Sequence, residues 1–153
     1  VPRQPWVVIL DSRLRIPPKA RVFGNDRVIV AVAGKAPTTA VKRLPGHAEV
    51  LELPRDRDGR PSLPALLKAL GSIGISHILV EGGGKVAGSF ISQGLVDRYC
   101  CIIAPMVIGG TDSRGSAVWP DRLNAARKVL GVQAEVKDIL RLGPDLMLDV
   151  RFR

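Results

Sequence analysis

Short apolar runs, set apart by polar or Pro- and Gly-containing stretches, organise the first two thirds of the chain. Val7, Val8, Ile9 and Leu10 form one run between Pro5 and Pro17-Pro18, and residues 28–33, VIVAVA, form a second closed by Gly34. Unbroken apolar runs of this length predict strands covered on both faces. Glu49 to Leu53 mixes acidic and apolar positions ahead of a charged loop, Pro54 to Pro61, and predicts a third strand. Ser62 then offers an N-cap with Pro64 tolerated in the first turn, and Leu63, Leu66, Leu67, Leu70 and Ile73 recur at helical spacing. Gly71 and Gly74 are expected to stop that helix.

His77 to Val80 predicts another buried strand, Glu81-Gly82-Gly83-Gly84 a turn, and Lys85 to Gln93 a helix turning Val86, Phe90 and Ile91 inward. Residues 98–104, RYCCIIA, predict a strand ending at Pro105. Strand, helix, strand, helix, strand in this order implies parallel pairing through right-handed crossovers. The last third differs: Lys128 to Leu142 and Leu146 to Phe152 are strand-like around Gly143-Pro144-Asp145, the pattern of an antiparallel hairpin. The expected class is α/β, a mainly parallel sheet flanked by helices and finished by an antiparallel C-terminal hairpin.

Length and composition narrow the picture. With 153 residues, 46% hydrophobic and 24% charged, one domain over residues 1–153 is expected. A chain of this size buries about 68–70% of its unfolded surface, so disordered and collagen-like classes are excluded. The net charge is +9, but twelve basic residues fall in residues 1–60 and eleven after them, with acids interspersed. No basic run or helix-turn-helix pattern appears, and aromatics make up 4% of the chain, few for base stacking. No nucleic acid and no membrane are expected as partners. Cys100 and Cys101 are adjacent, so they point to opposite faces of a strand and make no bridge; they are expected in the core, in a reducing, cytoplasmic compartment. His47 and His77 are isolated, and no metal site is expected. Asp97 reads as a strand-start residue and Trp119-Pro120-Asp121 as a packing or dimer contact.

Two segments could carry chemistry. Residues 78–90, ILVEGGGKVAGSF, run from an apolar stretch through three glycines into a helix, which lets backbone approach a ligand and leaves free N–H groups at the helix start for a phosphate or pyrophosphate. The same glycines also suit a plain tight turn. Gly82, Gly84 and Ala87 formally satisfy G-x-G-x-x-A, but the acidic residue a Rossmann site wants at the end of the next strand is replaced by Ala104-Pro105. No G-K-[ST] follows the glycines, so a Walker A loop is absent. In the second segment, VILDSRLRIP, a strand delivers Asp11, Ser12, Arg13 and Arg15 at its C-terminal end. A hydroxyl beside guanidinium groups matches a phosphate monoester, although a solvated basic loop capped by Asp11 fits the same letters.

Together the two segments resemble the C-terminal reductase domain of the bifunctional riboflavin-biosynthesis deaminase/reductase family, which has the dihydrofolate-reductase-like fold. The likeness runs from about Pro5 to Gly110, through L-D-S-R at a strand end, V-E-G-G, A-G-S-F, G-L-V-D, and I-A-P followed by Ile108-Gly109-Gly110. The resemblance implies an NADP-linked oxidoreductase. It would reduce the ribosyl part of 5-amino-6-(5-phosphoribosylamino)uracil to the ribityl product with NADPH. It places Glu81 at the substrate and Gly83, Gly84, Lys85, Val86, Ala87, Gly88 and Ser89 along the cofactor, with Ser12 as a further cofactor contact. By analogy with the related dihydrofolate reductases, Arg13 joins Ser12 at the cofactor 2′-phosphate. No side chain is assigned as a catalytic acid, base or nucleophile, because hydride chemistry belongs to the cofactor. The resemblance further implies a homodimer and a preceding N-terminal segment or fused deaminase domain. The alternative it leaves is a catalytically incomplete relative acting as a nucleotide-binding or dimerising module.

Overall fold

The computed structural model describes residues 4–107, 117 and 131–152. The chain divides into two units, one ending at His77 and the other beginning at Ile78. In the first, β1 (Val7–Leu10), β2 (Val28–Ala33) and β3 (Ala48–Leu53) form a parallel sheet in the order β1-β2-β3. Val7 stands beside Val28 and Val28 beside Ala48, so all three strands end at the same edge. β2 is central and every one of its residues is buried, which is why it reads as an unbroken apolar run. Val28, Val30 and Val32 pack with Leu14, Phe23, Ala36 and Ala40 into one core cluster, and Ile29, Ala31 and Ala33 are buried on the opposite face.

A short 3-10 turn, Arg21–Gly24, lies between β1 and β2, and a single helical turn, α1 (Thr38–Val41), lies between β2 and β3. After β3 comes α2 (Leu63–Ser72), which buries Leu63, Leu66 and Leu70. Its N-cap is the expected one: the Ala65 N–H donates to Ser62 Oγ at 3.4 Å, and Pro64 occupies the first turn. Ser62→Ala is expected to lower stability by about 1 kcal/mol, read as a shift of the urea midpoint at constant slope. Two details differ from the sequence pattern. Gly71 lies inside the helix, with only Gly74 beyond it, and Ile73 is the C-cap, 53% exposed, rather than part of the buried stripe.

The second unit holds α3 (Gly84–Ser92), which buries Gly88, Phe90 and Ile91 while Val86 stays half-buried. It also holds an antiparallel sheet of β4 (Arg98–Ile103), β5 (Ala134–Leu142) and β6 (Asp145–Phe152) in the order β4-β6-β5. The C-terminal hairpin is as expected, turning through Gly143-Pro144, but its first strand starts at Ala134; residues 128–130 lie outside the described ones. Arg98 stands directly across from Arg151, a like-charge pair that Asp149 relieves by accepting from Arg98 Nε at 2.9 Å, with Arg151 Nε at 3.8 Å.

The middle of the chain departs from the expected parallel crossovers. Residues 78–80 form no strand, and Ile78, Leu79 and Val80 are exposed, Leu79 by 81%. A strand needs a neighbour to take its backbone N–H and C=O groups, and among the described residues this run has none. β4 in turn joins the C-terminal strands in antiparallel register instead of extending the parallel sheet. Cys100, expected in the core, is exposed and faces Asp149 across the ladder; Cys101 is half-buried opposite Leu148, and both thiols are free.

Candidate functional site

The parallel order of β1, β2 and β3 brings the loops after their C-terminal ends to one edge, where open α/β sheets bind ligands. A surface cleft of about 160 Å³ opens there. Its lining includes Ser12 and Arg13 after β1, Lys35 after β2 and Arg55 after β3, with Val32 and Ala33 from β2 itself. Among the described residues Arg13, Lys35 and Arg55 form no ion pair. The nearby Glu52 carboxylate is committed to backbone, accepting the Ala36 N–H at 2.8 Å. Three cations and a hydroxyl left without carboxylate partners suit a phosphate monoester, whose oxygens take several charge-assisted hydrogen bonds at once.

The loop that presents Ser12 and Arg13 is closed by Asp11. One carboxylate oxygen accepts the Arg13 N–H at 3.3 Å, and the other accepts those of Arg15 at 2.5 Å and Ile16 at 2.7 Å. Leu14 completes the loop with a left-handed backbone, φ 53°, and is 2% exposed within the core cluster. That conformation costs a non-glycine residue about 1–2 kcal/mol, which burial of the leucine side chain offsets. A last tie runs to β2, where the Ala33 N–H donates to the Ser12 carbonyl at 3.3 Å. Asp11 therefore shapes the loop, as the plainer reading of the sequence had it, while Ser12 and Arg13 face the cleft. Arg15 is exposed and does not line it.

In the second unit the three-glycine segment leads into α3. Gly83 is the N-cap, and the amides of Val86 and Ala87 both donate to its carbonyl, at 2.9 and 3.2 Å. The amides of Gly84 and Lys85 thus have no partner within the helix, the arrangement that suits an anion. Gly82 is required by crowding: a Cβ there would lie 2.7 Å from Val86 Cβ. Ser89 Oγ donates back to the Lys85 carbonyl at 2.8 Å, and Glu81 and Lys85 are exposed. A larger depression of about 290 Å³, lined among others by Asp97, Ile91 and Phe152, contains none of the residues singled out for the cofactor.

Of the remaining residues, His47 sits in the expected turn with Nε2 3.0 Å from the Phe23 carbonyl oxygen, and His77 Nδ1 pairs with Ser76 Oγ at 2.9 Å in an exposed loop. Asp97 lies immediately before β4. Trp119-Pro120-Asp121 and Ile108-Gly109-Gly110 lie outside the described residues. Sequence reasoning missed Lys35 and Arg55. Both follow the C-terminal ends of strands that were identified, so asking for basic residues just past every parallel strand would have found them.

A parallel α/β unit with basic residues lining a cleft at its strand ends defines the class of open α/β folds that take ligands at that edge. Within that class the chain belongs to the RibD C-terminal domain family, whose model matches residues 2–148. It is 40% identical over 110 residues to the 2,5-diamino-6-ribosylamino-4(3H)-pyrimidinone 5′-phosphate reductase of Archaeoglobus fulgidus, covering 71% of this chain and 49% of that one. It is 32% identical over 146 residues to the enzyme of the same name from Methanothermobacter thermautotrophicus, covering 95% of this chain and 65% of that one. The chain therefore spans about half to two thirds of the length of these relatives. Among solved structures, RibD from Acinetobacter baumannii superposes with a TM-score of 0.71 at 23% identity, over 95% of this chain and 37% of that one. The likeness bears out the expected α/β fold, and β4, β6 and β5 supply its antiparallel C-terminal strands.

Proposed function

We propose that the chain is an NADPH-dependent reductase of riboflavin biosynthesis, acting on the ribosyl carbon of a phosphoribosylaminopyrimidine. The observation that carries this reading is the cleft at the parallel strand ends, which Ser12, Arg13, Lys35 and Arg55 line with no ion pair among the described residues. Such a site fits the phosphate monoester that distinguishes NADPH from NADH. Bound NADPH supplies the hydride that reduces the ribosyl group to ribityl.

The chain's own residues bind and orient. Ser12 and Arg13 hold the phosphate monoester; in the second unit Gly83, Gly84, Lys85, Val86, Ala87, Gly88 and Ser89 form the cofactor stretch, where the amides of Gly84 and Lys85 have no partner within the helix and suit an anion. Glu81 contacts the substrate. Positioning of this kind lowers a barrier by removing the translational and rotational cost of bringing donor and acceptor together. The substrate is 5-amino-6-(5-phosphoribosylamino)uracil, or the 2,5-diamino pyrimidinone for which the two archaeal relatives are named. A homodimer belongs to the same reading.

The test is NADPH oxidation followed at its absorbance maximum with each pyrimidine in turn. Turnover with either one supports the proposal. NADPH binding without turnover on both would leave a nucleotide-binding module in its place, and absence of NADPH binding would remove the proposal altogether. Arg13→Ala is expected to weaken NADPH by about tenfold while leaving NADH almost unchanged, since one charge-assisted bond to phosphate is lost. Equal weakening of both cofactors in calorimetric titrations would remove Arg13 from the phosphate.

A further inference from the structure

The structure assigns a second cofactor-selecting cation, Arg55, to the phosphate monoester, with Gly34 as the seat that aims it. The assignment rests on the proposal that this cleft takes NADPH. Gly34 follows β2 with φ 75°, and its N–H donates to the Leu53 carbonyl at 2.7 Å, tying the chain just past β2 to the end of β3. A Cβ on Gly34 would stand 3.2 Å from Arg55 Nε and 3.3 Å from one terminal nitrogen, tight enough that the guanidinium would shift by a few tenths of an ångström. The guanidinium thus packs on the bare face of the glycine backbone at the mouth of the cleft that Ser12, Arg13 and Lys35 also line.

The loop around Arg55 holds its backbone in place and leaves its charge unspent. Arg55 makes an isolated antiparallel bridge with Pro61, the Ser62 N–H donates to the Pro54 carbonyl at 2.9 Å, and the Asp56 N–H donates to the Arg60 carbonyl at 2.7 Å. The carboxylate next in sequence, Asp56, turns inward and accepts the Asp58 and Arg60 N–H groups at 2.9 and 2.8 Å. Asp56 thereby serves the turn, and Arg55 forms no ion pair with a described residue. Arg55 is exposed and its side chain makes no hydrogen bond to a described residue, so its planar fork is open to phosphate oxygens.

Titration of the whole chain with NADPH and with NADH tests the assignment. Arg55→Gln is expected to weaken NADPH by about tenfold and NADH by less than about twofold, and Arg55→Lys to fall between wild type and Arg55→Gln. Gly34→Ala is expected to give a smaller selective loss in the same direction by shifting the guanidinium, and to add none to the NADPH-over-NADH preference on top of Arg55→Gln. The alanine also strains a left-handed position, so if it does not fold, the two Arg55 variants decide. Unchanged NADPH affinity in Arg55→Gln, or equal losses for both cofactors, overturns the role of Arg55 while the NADPH proposal stands. A wild-type chain with no preference for NADPH overturns that proposal instead.

Discussion

Gly84→Asp is expected to weaken NADPH binding on the order of a hundredfold while the protein stays folded. The variant puts a carboxylate at the first residue of α3, beside the amides of Gly84 and Lys85 that have no partner within the helix. For the fold this is favourable: an acid in the first turn complements the helix dipole by about 0.3–1 kcal/mol, and aspartate has less chain entropy to lose than glycine. For an anionic ligand the sign reverses. The carboxylate repels the pyrophosphate and competes for the same two N–H donors, each worth about 1.5–3 kcal/mol to a charged acceptor. Thermal unfolding at or above the wild-type midpoint, together with lost NADPH binding, is the expected pair of results. Wild-type affinity in the folded variant would show that the glycine segment is a turn and nothing more.

Asp11→Ala is expected to lower stability by about 2 kcal/mol and to weaken NADPH as well. The carboxylate organises the backbone N–H groups of Arg13, Arg15 and Ile16 in one loop. Two of these bonds are solvent-exposed, so water replaces part of what is lost and the cost stays well below three full charge-assisted bonds. The left-handed Leu14 then depends on its buried side chain and on its N–H bond to the Asp11 carbonyl at 3.1 Å. Loosening this loop frees Ser12 and Arg13, so affinity for NADPH falls further than affinity for NADH. Asp11→Asn keeps an acceptor in the same place and is expected to recover most of the stability in chemical denaturation. If Asp11→Ala unfolds earlier yet keeps its preference for NADPH, the loop has no part in aiming Arg13.

Much of the architecture was legible because its signals are local. β1 and β2 coincide with their apolar runs residue for residue, the Ser62 cap begins α2, and Gly143-Pro144 turns the last hairpin. Such elements follow from backbone propensity and from which side chains avoid water, and both are written in neighbouring residues. The run at 78–80 shows the limit. Its letters are as apolar as those of β1, yet whether a strand forms depends on a partner for its hydrogen bonds, and among the described residues this run has none. The same holds for β4, whose place was decided by pairing with β6 about fifty residues on.

The site divides along the same line. The sequence by itself determined the chemical vocabulary: a serine and an arginine at a strand end, a glycine segment opening a helix, and, through their order, the family. Only the tertiary structure decided that Lys35 and Arg55 share a cleft with Ser12 and Arg13, that Asp11 is spent on shaping a loop, and that Gly34 is bare so that a guanidinium can rest on it. The physical reason is that strand polarity and capping are set by adjacent residues, whereas a binding cleft is made where parallel strands end together. That convergence comes from the pairing order β1-β2-β3, which no single segment encodes.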